Sequence, residues 1–242
     1  MTEPVGDRAA ADFDLLWRRA ALIGGWLTRA QARRLWDAAA GLPPRSTVVE
    51  IGSHRGRSTA VLASAVRGAG GRVVAIDPFL AEGRFGGRRT ADEFRANIEG
   101  LELSGVVQQV QELSQVVLVD WSAPIDLLYI DGKHDYWSCS RDLAWVRHCR
   151  PGTRIYVHDA FSSLGVTTSL LRHVLLAGLC RYEGRTGSLA SFVRAPATAA
   201  SRRAFVSELP WWGRNLLVKV ALRTRAYPAA RALGHTDTFD PY

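Results

Sequence analysis

The chain has 242 residues, 47% hydrophobic and 22% charged, with a formal charge of +8. That length supports one well-packed domain with terminal additions and excludes two full-sized ones. Its three cysteines, Cys139, Cys149 and Cys180, form neither a CxxC pair nor a zinc-ribbon spacing, which argues against a disulfide framework and a thiolate metal site and makes a reducing cytoplasm the expected home.

The first 14 residues are polar and acidic, unlike a signal peptide, and no run approaches the roughly 18 apolar residues of a membrane-spanning helix. Residues 9–39, rich in Ala, Leu, Arg and Trp, predict one or two helices broken near Gly24-Gly25 and ended by Gly41-Leu42-Pro43-Pro44. β-Branched runs then alternate with helical stretches. Strands are predicted at 47–51, 72–76, 106–110, 125–130 and 154–158. Helices are predicted at 57–66, 90–99, 114–119, 138–148 and around 169–177. Runs at 179–182 and 189–193, joined by Gly184-Arg185-Thr186-Gly187, predict a closing hairpin. The expected fold is α/β and Rossmann-like: a mostly parallel seven-stranded sheet with a terminal antiparallel hairpin and helices on both faces. Residues 1–44 read as a helical extension, 45–195 as the ligand-binding domain and 196–242 as a basic, Trp-containing tail.

The segment Val48-Val49-Glu50-Ile51-Gly52-Ser53-His54-Arg55-Gly56-Arg57-Ser58 is a strand feeding a glycine-bearing turn and a helix. Gly52 allows close backbone approach, Gly56 a tight helix entry, and Ser58 or Thr59 can cap the helix. The order is neither the Gly-x-Gly-x-x-Gly of dinucleotide enzymes nor a P-loop. Asp77 ends the next strand, twenty-five residues after Gly52, where a carboxylate can accept both hydroxyls of a ribose. Each feature alone also reads as a plain turn. Together, on adjacent strands, they point to an adenosine-containing ligand.

A second cluster, Asp131-Gly132-Lys133-His134-Asp135-Tyr136, follows strand 125–130, and Tyr156-Val157-His158-Asp159 closes the next strand. Carboxylates and imidazoles at neighbouring strand ends can hold a divalent cation through Asp131, His158 and Asp159. His134 is then left as a general base near its ordinary pKa of roughly 6.5. The plainer alternative is that the aspartates cap helices and the histidines are hydrogen-bonded loop residues.

These residues resemble the class I methyltransferases related to cephalosporin-hydroxylase-like proteins and to macrolide or aminocoumarin sugar O-methyltransferases. The match is carried by Val49-Glu50-Ile51-Gly52-Ser53-x-x-Gly56-x-Ser58-Thr59, Ala75-Ile76-Asp77-Pro78-Phe79, Tyr129-Ile130-Asp131-Gly132-x-His134-x-Tyr136, Asp142-Leu143-x-Trp145 and His158-Asp159, across residues 47–193. The resemblance implies S-adenosylmethionine as cofactor, with Glu50, Gly52 and Ser53 at its methionine end, Gly56 and Ser58 in the same loop, Asp77 on its ribose, Ser114 near its adenine and Asp131 as a further cofactor-binding residue. It also implies Mg²⁺ on Asp131 and an acidic pair, with His134 as base. Here His158 replaces the first acid of that pair, and a nitrogen ligand favours Mn²⁺, Fe²⁺ or Zn²⁺ over Mg²⁺. The expected reaction is O-methylation of a small molecule, glycoside or glycolipid, assisted by the cation. A non-catalytic cofactor-binding protein and an NAD(P)-dependent oxidoreductase are the competing classes.

Residues 201–242 hold seven Arg or Lys against three Asp or Glu, half of the formal charge. Trp211-Trp212 among these cations suggests either a peripheral contact with anionic lipid or, more in keeping with the poor face separation, packing on the chain's own domain or on a second subunit of a homo-oligomer. No base-methylation motif or RNA-binding module accompanies the charge, so nucleic acid is not the expected partner. Loops at 81–89 and 161–166 are expected to cover the acceptor.

Overall fold

A computed structural model describes residues 5–80 and 87–236. Two helices, α1 (Val5–Ala20) and α2 (Arg29–Ala40), precede the sheet. The α/β part runs β1 (Thr47–Ile51), α3 (Arg57–Arg67), β2 (Arg72–Ile76), α4 (Arg88–Gly100), β3 (Val107–Val110), α5 (Ser114–Asp120), β4 (Ile125–Ile130) and α6 (Tyr136–Asp142). It continues with a 3₁₀ stretch (Leu143–His148), β5 (Cys149–Val157), α7 (Leu164–Leu170) with a π-helical turn (Leu171–Leu176), β6 (Arg181–Thr186) and β7 (Leu189–Val193). Three helices follow: α8 (Ala199–Val206), α9 (Leu209–Arg223) and α10 (Tyr227–Ala232).

The seven strands lie in the order β3-β2-β1-β4-β5-β7-β6, parallel except that β7 is antiparallel to both β5 and β6. Period-two alternation splits each strand between two cores. Val48, Val73 and Leu127 pack beneath α1 to α4 with Phe13, Trp36, Leu62 and Phe94. Val49, Val74 and Leu128 face the other way, onto Leu118, Trp145, Leu170 and Phe205 of the later helices. The strand order reverses at β1 and β4, and their carboxyl ends open the crevice where such sheets take ligands.

Three local expectations change. Gly184-Arg185-Thr186 belongs to β6, whose register shifts between Tyr182 and Gly184, so the hairpin turns on Gly187-Ser188 instead. The helix expected over 138–148 starts at Tyr136, capped by Asp135, and tightens into 3₁₀ geometry from Leu143. The tail, read from the sequence only as basic and Trp-containing, is helical because local signals suffice: Thr198 and Ser201 form a capping box, and Pro210 sits in the first turn of α9. α9 buries Asn215 and exposes Leu217 and Val220, which is why polarity failed to mark its inner face. Trp211 and Trp212 are half-buried against the second core, and Arg185 stacks 3.7 Å from the Trp211 ring centroid. Among the described residues no helix is long and apolar enough to cross a membrane.

Candidate active site

At the carboxyl end of β1 the chain turns at Gly52 with φ 86°, and Gly52 N–H donates to Ile76 O. Any Cβ at this position would collide with the Asp131 carbonyl, because the ends of β1 and β4 touch here. Only glycine meets both conditions. Glu50, two residues earlier, is fully buried, and its carboxylate accepts Ser58 Oγ (2.5 Å) and Thr59 Oγ1. Burial pushes its pKa up to about 7, against the pull of these hydroxyls. Ser58 and Thr59, expected as helix caps, are therefore committed to Glu50, and the cap position of α3 falls to Gly56 in the left-handed conformation. Ser53 Oγ is buried beside this carboxylate with no partner in hydrogen-bond geometry.

Asp77, at the end of β2, is tied to the same loop. Its Oδ2 accepts the backbone N–H groups of Ser53 (3.0 Å) and His54 (2.9 Å), and its Oδ1 accepts that of Phe79 (2.8 Å). A carboxylate oxygen has two lone-pair directions, so Oδ2 is filled by its two donors while Oδ1 retains room for a ligand hydroxyl. On the far side of the crevice, Ser114 Oγ at the start of α5 donates to Asp142 Oδ1 (2.5 Å). Asp142 lies beneath Gly132, where a Cβ would stand 2.6 Å from Oδ2. Burial lifts the Asp142 pKa to about 6. Asp142 stood in a sequence motif without a role, and the structure places it in the wall beside Ser114.

The Asp-His residues do converge. Asp131 ends β4, and His158-Asp159 ends β5, with Asp159 strained at φ 55°. His134 bridges the two acids: its Nδ1 lies 3.0 Å from Asp159 Oδ2 and its Nε2 3.5 Å from Asp131 Oδ1. His158 Nδ1 faces the same pair, 3.3 Å from Asp131 Oδ1 and 3.6 Å from Asp159 Oδ1. Tyr129 OH donates to Asp131 Oδ2 (2.9 Å). Burial opposes ionisation of all four members, but their mutual pairing overrides it. Both aspartates are held below the usual carboxylate range and His158 above its ordinary value. His134 is raised to about 10 by the bonds to Asp131 and Asp159. The expectation of a free His134 near 6.5 is therefore corrected: an imidazole between two carboxylates keeps its proton at neutral pH.

This arrangement does not fit a resident divalent cation. His134 stands between the carboxylates that would share the ion, and two imidazoles already oppose two carboxylates. Among the described residues no group of three His, Cys, Asp or Glu is disposed to hold a metal. His134 is the accessible member, its side chain 45% exposed against 3% for His158. Lys133, Trp137 and Leu164 are also exposed, and Ser163 Oγ donates to the His134 carbonyl (3.1 Å). Of the loops expected over the acceptor, 81–86 lie outside the described residues. In the other, Phe161 is buried, and only Leu164 projects.

Two side chains from the terminal extensions reach this cluster without any signal in the sequence reading. Gln31 of α2 meets His158, and Asn215 of α9 donates to Phe161 O (3.0 Å), holding a turn in which Asp159 and Phe161 both have positive φ. Arg57, the first residue of α3, adds a clamp: its guanidinium donates to the carbonyls of Ala21, Ile23, Gly25 and Leu27 between α1 and α2.

Comparison with known proteins agrees with this geometry. Residues 49–160 match the family described as a methyltransferase domain. The O-methyltransferase from Bacillus cereus in complex with SAH is 22% identical, over 76% of this chain and 90% of that one, with a TM-score of 0.56. The O-methyltransferase TomG from Streptomyces achromogenes, solved with SAM, is 21% identical over 78% of this chain and 91% of its own, with a TM-score of 0.55. The O-methyltransferase NovP is 14% identical over 77% and 99%, with a TM-score of 0.63.

Proposed function

We propose, from the premise that residues 49–160 are a methyltransferase domain of the class I fold, that this chain methylates a hydroxyl oxygen of a small molecule or glycoside with S-adenosylmethionine as donor. The observation that carries the reading is His134. It is half-exposed and flanked by Asp131 and Asp159, across the β1–β4 crevice from a glycine loop tied to Asp77. The SAH- and SAM-bound relatives support the donor, and the spare acceptor capacity of Asp77 Oδ1 suits its polar groups.

When bound, the donor supplies a methyl group already activated as a sulfonium. The chain's own task is alignment and proton removal. Gly52 and Ser53, with Asp77, would hold the donor. Ser114, held by Asp142, would line its adenine end. His134 meets the acceptor hydroxyl, and once it has released its own proton to solvent it takes that of the hydroxyl during attack, with Asp131 and Asp159 stabilising the imidazolium formed. No covalent enzyme intermediate is required.

Divalent-cation assistance, expected at Asp131, His158 and Asp159, would require His134 to leave its place between the carboxylates, so turnover is expected to survive complete chelation. A peripheral contact with anionic lipid has a surface to use, since Leu217 and Val220 are exposed on α9 beside Arg223 and Arg225. Vesicle sedimentation of Leu217→Glu against the parent chain tests it, and equal binding ends the idea. The functional reading itself is tested by incubating the protein with methyl-labelled S-adenosylmethionine and a panel of glycosides and phenols. Label transfer to an ether oxygen supports it, while transfer to nitrogen or carbon acceptors alone overturns it.

A further inference from the structure

Helix α2 opens on a capping box in which Thr28 Oγ1 accepts Gln31 N–H (3.3 Å) and Gln31 Oε1 accepts Thr28 N–H (2.9 Å). The second bond orients the amide, because a backbone N–H can only donate and the atom facing it must be oxygen. That same Oε1 lies 3.4 Å from His158 Nε2. His158 Nε2 must therefore carry a hydrogen. The other end of the amide, Gln31 Nε2, donates to Ser188 Oγ (3.2 Å) in the β6–β7 turn. Gln31 and Ser188 are fully buried and His158 is 3% exposed, so bulk solvent does not compete for these bonds. A capping glutamine normally works at the surface, where its side chain need reach only its own helix start. Gln31 instead joins the N-terminal extension, the terminal hairpin and the end of β5.

We propose that Gln31 is a positioning residue for methyl transfer. By accepting the Nε2 hydrogen it fixes the ring plane of His158, so that the second N–H, on Nδ1, is presented to Asp131 and Asp159, the two acids that hold His134. The effect on rate rests on the methyl-transfer reading above, whereas the placement of the ring does not. The extension outside residues 49–160 is then part of the working site.

Three substitutions test this. Gln31→Met removes the acceptor at similar length, Gln31→Glu keeps an oxygen for Thr28 and His158, and Thr28→Ala weakens the same helix start without touching His158. Ring-nitrogen signals of His158 are read by long-range ¹H–¹⁵N spectroscopy, and turnover is read with methyl-labelled S-adenosylmethionine and 4-nitrophenyl glycosides. Gln31→Met should move the His158 signals and lower kcat about tenfold to a hundredfold, with the KM for the donor nearly unchanged. Gln31→Glu should retain most of the rate, and Thr28→Ala should lose stability without either change. Unmoved ring signals in Gln31→Met, or an equal rate loss in Thr28→Ala, would overturn the proposal. Should Gln31→Met fail to fold, Gln31→Asn withdraws the amide by one methylene and supplies the same comparison. If no acceptor is methylated by the parent chain, the functional reading fails while the ring signals still decide where His158 is held.

Discussion

The two sides of the crevice are built differently. On the β1–β2 side, Glu50, Ser58, Thr59 and Asp77 are satisfied by partners within the same loop or the adjoining strand. On the β4–β5 side, Asp131, His134, His158 and Asp159 pair with one another, and Gln31 and Asn215 brace them from the two ends of the chain. The first side is rigid by local hydrogen bonding. The second is a balanced charge cluster whose geometry depends on distant helices, so substitutions on the two sides should separate donor binding from proton transfer.

The largest effect should come from His134→Ala. Loss of the proton acceptor is expected to lower kcat by about a hundredfold to ten-thousandfold, with donor affinity measured by calorimetry unchanged. A pH profile sharpens this. Because the folded His134 holds its proton up to about pH 10, the neutral base becomes more abundant as pH rises, and kcat should climb toward that value. A plateau from pH 7 would place the base elsewhere. Gly52→Ala is expected to destabilise by about 3–4 kcal/mol in denaturant unfolding, from the positive φ and the collision with Asp131 together, and to weaken donor binding.

Glu50 gives a smaller, pH-dependent effect. Its carboxyl titrates near 4.5 when exposed and near 7 when folded, so the folded chain binds more protons within that window. The contribution is fully present below 4.5 and is lost as pH rises through 7, a change of up to roughly 3 kcal/mol. Stability curves of Glu50→Gln should lack this slope, and an unchanged slope would assign it to another group. Asn215→Leu, which leaves the Phe161 carbonyl without its donor, is expected to cost about 2 kcal/mol, read as a shift in the unfolding midpoint.

Most of the sheet was legible because its strands are short β-branched runs between turn residues. Residues 47–51, 72–76, 125–130 and 189–193 form strands with the expected ends. The fold followed from these runs and the helices between them, and the proposed enzyme class from the resemblance carried by motifs in which glycine, acid and strand end are contiguous. What could not be read was any contact that the terminal helices make with the site. Gln31 and His158 are separated by 127 positions, and nothing in the periodicity of α2 marks one glutamine as buried. Individual pKa values were hidden as well: His134 looks like a free loop imidazole until Asp131 and Asp159 are seen on either side of it. The helices of the tail were not read because α9 turns an asparagine inward and leucine and valine outward, which gives the poor face separation seen in the sequence.

The most direct test of the central claim is calorimetric titration of the purified chain with S-adenosylmethionine and, in parallel, with NAD⁺. The account predicts saturable binding of S-adenosylmethionine, undiminished in His134→Ala, and none of NAD⁺. Binding of NAD⁺ alone, or of neither, would contradict it.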